Sequence, residues 1–138
     1  MAGHFELRPH TADVAIEATG DSFAAAFGAV ADGLAAAHLE ELPEGGAPLT
    51  VTVTAESRTA LLFDYLGRLL YVRDVEGSLA VDNEVDIESV DGEWHLEGTA
   101  RGVPVAGLGA REVKAITYSE MDLSERNGTV HAYVVVDV

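Results

Sequence analysis

The sequence predicts an α+β fold: one domain, residues 1–138, in which two helices pack on a largely antiparallel sheet. Three observations predict it. Large apolar residues recur at helical spacing in two segments only, seven other segments read as extended strands, and most of those strands follow one another with turn residues between them. The element order read along the chain is β-β-α-β-α-β-β-β-β.

Phe5 to Leu7 and Val14 to Ala18 are short extended segments, the second alternating Val14, Ile16 and Ala18 against Ala15, Glu17 and Thr19. Gly20 closes that strand. Asp21 or Ser22 then offers an N-cap oxygen to a helix whose large apolar residues are Phe23, Phe27, Val30 and Leu34. Leu39 to Pro48, rich in Glu, Gly and Pro, reads as a loop. Leu49, Val51, Val53 and Ala55 alternate with Thr50, Thr52 and Thr54, the pattern of a half-buried strand. Ser57 caps the second helix, whose apolar stripe is Leu61, Leu62, Tyr65, Leu66, Leu69 and Leu70, with Asp64, Gly67 and Arg68 off the stripe and Arg73 at its end. Four period-two segments complete the chain: Leu79 to Ile87, Trp94 to Ala100, Val113 to Tyr118 and Val130 to Val136. Turn residues separate them at Asp91-Gly92, Gly102 to Gly109 and Asn127-Gly128, and the glycine-rich stretch reads as a hairpin loop.

Charge removes whole classes of function. Eight basic residues stand against 24 acidic ones, for a net charge of −16 at pH 7. Binding a nucleic-acid backbone requires clustered Lys and Arg, whereas the basic residues here are seven arginines spread along the chain and one lysine, Lys114. Direct nucleic-acid binding is therefore not expected. Disorder is not expected either, because 48% of the residues are hydrophobic and their positions are periodic. A single lysine, 21 alanines and no cysteine, in so acidic a chain, suggest the cytosol of a salt-loving organism. The absence of cysteine excludes disulfides, thiol nucleophiles and Cys-ligated metals. The first residues lack a signal-peptide pattern and no run approaches 18 consecutive apolar residues, so the expectation is a soluble, cytoplasmic protein with no membrane partner.

Few residues offer chemistry. The chain has no Gly-rich phosphate loop, HExxH, Gly-x-Ser-x-Gly elbow or EF-hand spacing. Two carboxylates stand out, Asp13 at the mouth of a strand and Asp137 between Val136 and Val138. Each is either a strand-end residue facing water or a group held for a purpose. Together they would offer hard oxygen ligands to Ca²⁺ or Mg²⁺, and the terminal carboxylate or carbonyl of Val138 would add another. Lys114, the lone lysine, is either an ordinary strand-edge residue or a site where a compact ammonium is wanted. His10 is a ligand, a base, or a turn histidine bonded to backbone. His4, His38, His95 and His131 show no metal-binding spacing.

The same residues carry a resemblance. His10-Thr11-Ala12-Asp13-Val14, an alternating strand, Gly20 and an Ala/Phe-rich helix ending near Gly33-Leu34 resemble the opening of the archease family. Three further matches follow in order. They are Leu61-Leu62 with Asp64-Tyr65-Leu66 and Leu69-Leu70-Tyr71, then Glu112-Val113-Lys114-Ala115-Ile116-Thr117-Tyr118, then Val135-Val136-Asp137-Val138. The resemblance implies a small, non-enzymatic α+β protein that activates the RtcB-type RNA ligase of tRNA splicing, promoting its guanylylation and multiple turnover. It implies a divalent cation, usually calcium, held by Asp13, Asp137 and Val138, and a functional lysine at Lys114. His10 and Tyr118 match further motif positions. From the residues alone, a metal-dependent phosphohydrolase and a chaperone-like structural module stand as alternatives.

Overall fold

The computed structural model describes residues 3–10 and 13–138, with backbone alone at 8–10. Its elements are β1 (Gly3–His10), β2 (Asp13–Gly20), α1 (Phe23–His38), β3 (Ala47–Ala55), α2 (Arg58–Glu76), β4 (Ser78–Val90), β5 (Glu93–Pro104), β6 (Ala115–Arg126) and β7 (Thr129–Asp137), in the order the sequence predicts.

Local chemistry sets the helix ends. Ser22 Oγ accepts from the Ala25 N–H at 3.0 Å and Ser57 Oγ from the Ala60 N–H at 3.1 Å, each satisfying an otherwise orphaned donor of a first turn. α2 runs past Arg73 to Glu76, since the residue able to end it is Gly77, left-handed at φ 67°, whose N–H closes back on the Arg73 carbonyl at 2.9 Å. α1 extends through the alanine run to His38. Both hairpin turns are as read: Asp91-Gly92 and Asn127-Gly128 take positive φ at both positions, the geometry that matches strand twist.

The strands divide between two antiparallel sheets, one of four strands in the order β1-β2-β7-β6 and one of three in the order β3-β5-β4. The stretch from Gly102 to Gly109 is accordingly not a hairpin loop. β5 belongs to one sheet and β6 to the other, so the chain from 105 to 114 crosses between them. Each helix touches strands of both sheets, α1 against β1, β2, β7 and β4, and α2 against β3, β4, β5 and β6. Phe27, Val30, Leu61, Leu62, Leu66, Leu96, Val134 and Val136 form the shared core, each at most 3% exposed. The helix–sheet approach is close enough to exclude a side chain at Gly20, where a Cβ would lie 2.5 Å from the Ala26 nitrogen.

Two irregularities matter. In β4 the pairing slips between Val81 and Glu84, with Asp82 at φ 52°, and the slip is pinned from α1: Asp32 Oδ1 accepts from both the backbone N–H and the side-chain amide of Asn83, each at 2.9 Å. Burial pushes the Asp32 carboxyl above its ordinary range, and the Asn83 bonds pull it back. In β6 residues 118–121 stand opposite Val134 alone, so the strand bulges widely and continues to Arg126 as a mostly exposed, charged edge. No helix among the described residues is long and apolar enough to cross a membrane.

Candidate functional site

One end of the four-stranded sheet gathers most of the residues singled out above. His10 pairs with Asp13, Asp13 with Asp137, and Asp137 with Ala115, a single row across β1, β2, β7 and β6. Directly opposed residues in antiparallel strands have Cα atoms roughly 4.5–5.5 Å apart and side chains on the same face. Val14, Ile16, Val134 and Val136 turn toward the helices and join the core, so alternation sends Asp13 and Asp137 to the other face, both half-buried. Two carboxylates so placed repel one another unless positive charge stands near. Among the described residues no three His, Cys, Asp or Glu side chains gather closely enough to hold an ion. A cation bound here would have to draw on two carboxylates and on main-chain oxygens, of which Val138, next in the chain and half-buried, is at hand.

Lys114 reaches this row through its backbone, its N–H donating to the Asp137 carbonyl at 2.7 Å. The segment before it is anchored twice more. Arg111 N–H donates to the His38 carbonyl at 2.8 Å, and Arg73 Nη1 donates to the Val113 carbonyl at 2.5 Å. The same Arg73 nitrogen lies 2.9 Å from His38 Nε2, while His38 Nδ1 is 2.8 Å from the Leu34 carbonyl. A carbonyl only accepts, so Nδ1 carries the proton and Nε2 accepts from Arg73. Burial drives the His38 imidazole below its usual range, opposed by its bond to Leu34 and assisted by the Arg73 charge, and the neutral ring fits this tautomer. Arg73 completes its fork on Asp74 Oδ1 at 2.7 and 3.0 Å.

Residues 5–138 match the family model described as "Archease protein family (MTH1598/TM1083)". The chain belongs to the archease family. It is 36% identical over 141 residues to the protein archease of Pyrococcus furiosus, covering 98% of this chain and 96% of that one. It is 35% identical over 99 residues to that of Methanothermobacter thermautotrophicus, covering 70% and 71%. The solution structure of Methanobacterium thermoautotrophicum protein 1598 superposes with a TM-score of 0.82 at 30% identity, covering 97% of this chain and 98% of that one. The crystal structure of an archease, described as a possible chaperone, from Thermotoga maritima superposes at 0.60 with 18% identity, covering 98% and 99%, and shares the fold.

Within this archease fold Asp13, Asp137, Val138 and the Lys114 backbone converge. The His10 backbone joins their row, while its side chain lies outside the described residues. Tyr118 does not join them. It stands three residues along β6 from Ala115, about 10 Å at strand rise, and turns to the helix side, where its ring meets Phe63 edge-on at 5.0 Å. Two residues that hold the site's flank, His38 and Arg73, carry no motif. Their only signal is position, since each lies in the last turn of its helix, where cationic or polar side chains reach free carbonyls.

Proposed function

We propose that this archease holds one divalent cation, Ca²⁺ by its donor chemistry, at Asp13, Asp137 and Val138, and serves in the cytoplasm as a non-catalytic activator of the RtcB-type RNA ligase. In this reading it promotes the ligase's guanylylation and multiple turnover. The observation that carries the reading is the direct opposition of Asp13 and Asp137 in neighbouring strands, with Lys114 bonded beside them. The donor set is oxygen alone, which suits a hard cation taking six to eight oxygens, with water completing the shell. When bound, the ion supplies positive charge that offsets the two carboxylates and faces the partner's phosphates. Lys114 adds a compact ammonium on the neighbouring strand end. An activator must bind one state of its partner more tightly than another, and a site of this charge favours the phosphate-rich, guanylylated state. Acidic surface elsewhere opposes direct contact with RNA, so the action runs through the ligase.

The test is multiple-turnover sealing of RNA ends by a limiting amount of the cognate ligase, at high salt, with and without this protein. Stimulation is expected with the parent in Ca²⁺ and not with Asp13→Asn or Asp137→Asn, which should also lose calorimetric Ca²⁺ binding. No stimulation by the parent would sink the reading. Hydrolysis of nucleotides or RNA ends by the protein alone would replace it with a phosphohydrolase.

A further inference from the structure

Between β5 and β6 the chain passes from one sheet to the other, and of residues 104–115 only Val113 is buried. Residues 110–114 belong to no strand or helix, so no ladder sets the place of Lys114. A single peptide does. The Val113 carbonyl accepts from Arg73 Nη1 at 2.5 Å, and the Lys114 N–H, on the other side of the same peptide bond, donates to the Asp137 carbonyl at 2.7 Å. A trans peptide is planar, with its C=O and N–H directed opposite ways, so bonds at both ends fix the rotation of the plane. Ala115 is held in the ladder opposite Asp137. The direction in which the Lys114 side chain leaves the backbone is thus settled by α2 on one side and β7 on the other.

Satisfying one carbonyl does not require a guanidinium. The Arg73 side chain is 14% exposed, and burying a charge is unfavourable unless it is paired and hydrogen-bonded, whereas a neutral amide would donate to the same carbonyl. What a guanidinium adds is direction, because its donors form a rigid fork. Here the fork is held on three sides. Nε and Nη2 donate to Asp74 Oδ1 at 3.0 and 2.7 Å, and Nη1 serves His38 Nε2 at 2.9 Å as well as the Val113 carbonyl. His38 is locked in turn by its Nδ1, 2.8 Å from the Leu34 carbonyl.

We infer that Arg73, oriented by His38, is a positioning residue for Lys114, holding the Val113–Lys114 peptide in the orientation from which the ammonium acts. The buried Val113 side chain does not do this by itself, since an apolar anchor fixes where the chain passes and not how its peptide is turned. The functional half of the inference rests on the activator reading, and the geometric half does not. Protonating His38 Nε2 removes the lone pair that accepts from Arg73 and sets two cations against each other, so the arrangement loosens in acid. Arg73 opposes that protonation and Asp74 favours it. Around His38 stand also Glu40 and Glu41 from the loop after α1 and Arg111 from the segment before β6, while β1 and β4 offer only Leu7, Leu79 and Ala80.

Lys114 is the only lysine in the chain, so protein grown on ¹⁵N-labelled lysine gives one backbone amide signal, that of the Lys114 N–H. Its shift and solvent exchange are measured in the parent, Arg73→Gln, Arg73→Lys and His38→Gln, with ligase stimulation assayed where all four are folded. Arg73→Gln should exchange the Lys114 amide about tenfold faster, as a locally loosened segment does. It should lower maximal stimulation about fivefold or more, the effect of a misplaced group. Arg73→Lys, which keeps a donor for the carbonyl and loses the fork, should recover part of both. Between pH 7.5 and 5 the parent signal should shift with a midpoint below 6.5, and parent stimulation should fall relative to His38→Gln, whose own signal stays in place. Carboxylates common to the two proteins cancel in that comparison, which also decides the matter if Arg73→Gln does not fold. An unchanged amide in Arg73→Gln, full stimulation by that variant, or a pH response shared by His38→Gln would each overturn the inference. A parent that shows the amide response and does not stimulate the ligase would uphold the coupling and sink the activator reading.

Discussion

Lys114 is fixed by its main chain and free at its side chain. Its N–H is bonded to Asp137, the carbonyl before it is bonded to Arg73, and the Val113 side chain is fully buried, while Lys114 itself is exposed. Truncating the side chain therefore leaves every anchor in place. Lys114→Ala should melt like the parent, within about 0.5 kcal/mol, as exposed substitutions usually do, and abolish stimulation of the ligase. Lys114→Arg should recover only part of it, because a planar fork does not reproduce a compact ammonium. Full stimulation by the alanine variant, measured in the turnover assay, would mark the lysine as an ordinary surface residue. The sequence showed this residue by its rarity and showed Asp13 and Asp137 as carboxylates closing apolar strands. It could not show that those two oppose one another, since the pairing of β2 with β7 joins strands from the two ends of the chain. His38 was invisible for a related reason, its partner Arg73 being 35 positions away and on another helix.

At the level of elements, the C-termini of both helices and the segment leading to β6 meet at one tie, made of His38, Arg73 and the Val113 carbonyl. The tie needs a neutral imidazole, because a proton on Nε2 would face the guanidinium with no lone pair to offer. His38 is depressed below its ordinary 6.5 in the fold, so the unfolded chain takes up the proton first. Stability is then intact above that value and is lost as pH falls below it toward the folded value. Arg73 opposes the charged ring and Asp74 favours it, with burial outweighing both. The parent should out-melt His38→Gln at pH 7.5, and the gap should narrow toward pH 5; carboxylates common to both proteins cancel in the comparison. A gap that stays constant over that range would show that His38 does not titrate in this role. The elements that meet here were legible because their signals are local: serine caps, the stop at Gly20, two turn dipeptides and two periodicities, whereas the stop at Gly77 went unread and α2 was ended at Arg73. Which strands share a sheet was not legible, since alternation reports that a strand has a buried face and never which neighbour covers its edge. The second half of β6 escaped because only Met121 and Leu123 alternate there, between the exposed bulge at Ser119-Glu120 and the charged run that ends the strand.

Across the whole molecule, charge is distributed as unevenly as burial. α2 is neutral, and the −16 resides in the strands, turns and α1. On the outer face of the three-stranded sheet Asp86 stands directly opposite Glu97, both exposed, a like-charge pair that destabilises a sheet. Such repulsion is long-ranged at low ionic strength and collapses as the Debye length falls from about 10 Å at 0.1 M to about 3 Å at 1 M. Thermal unfolding should therefore rise from 0.1 M to 2 M KCl, with most of the gain in the first molar, where screening changes fastest. A salt effect acting through apolar hydration would instead grow steadily with concentration. The pair separates the two causes further. Glu97→Gln removes one of the opposed charges without changing shape, so it should stabilise at 0.1 M KCl by roughly 0.5 kcal/mol, the scale of a cross-strand pair, and by much less at 2 M. An unchanged midpoint in salt, or an equal effect of Glu97→Gln at both concentrations, would show that the acidic surface is not what limits stability. It would also remove the charge-based argument for a salt-rich cytosol.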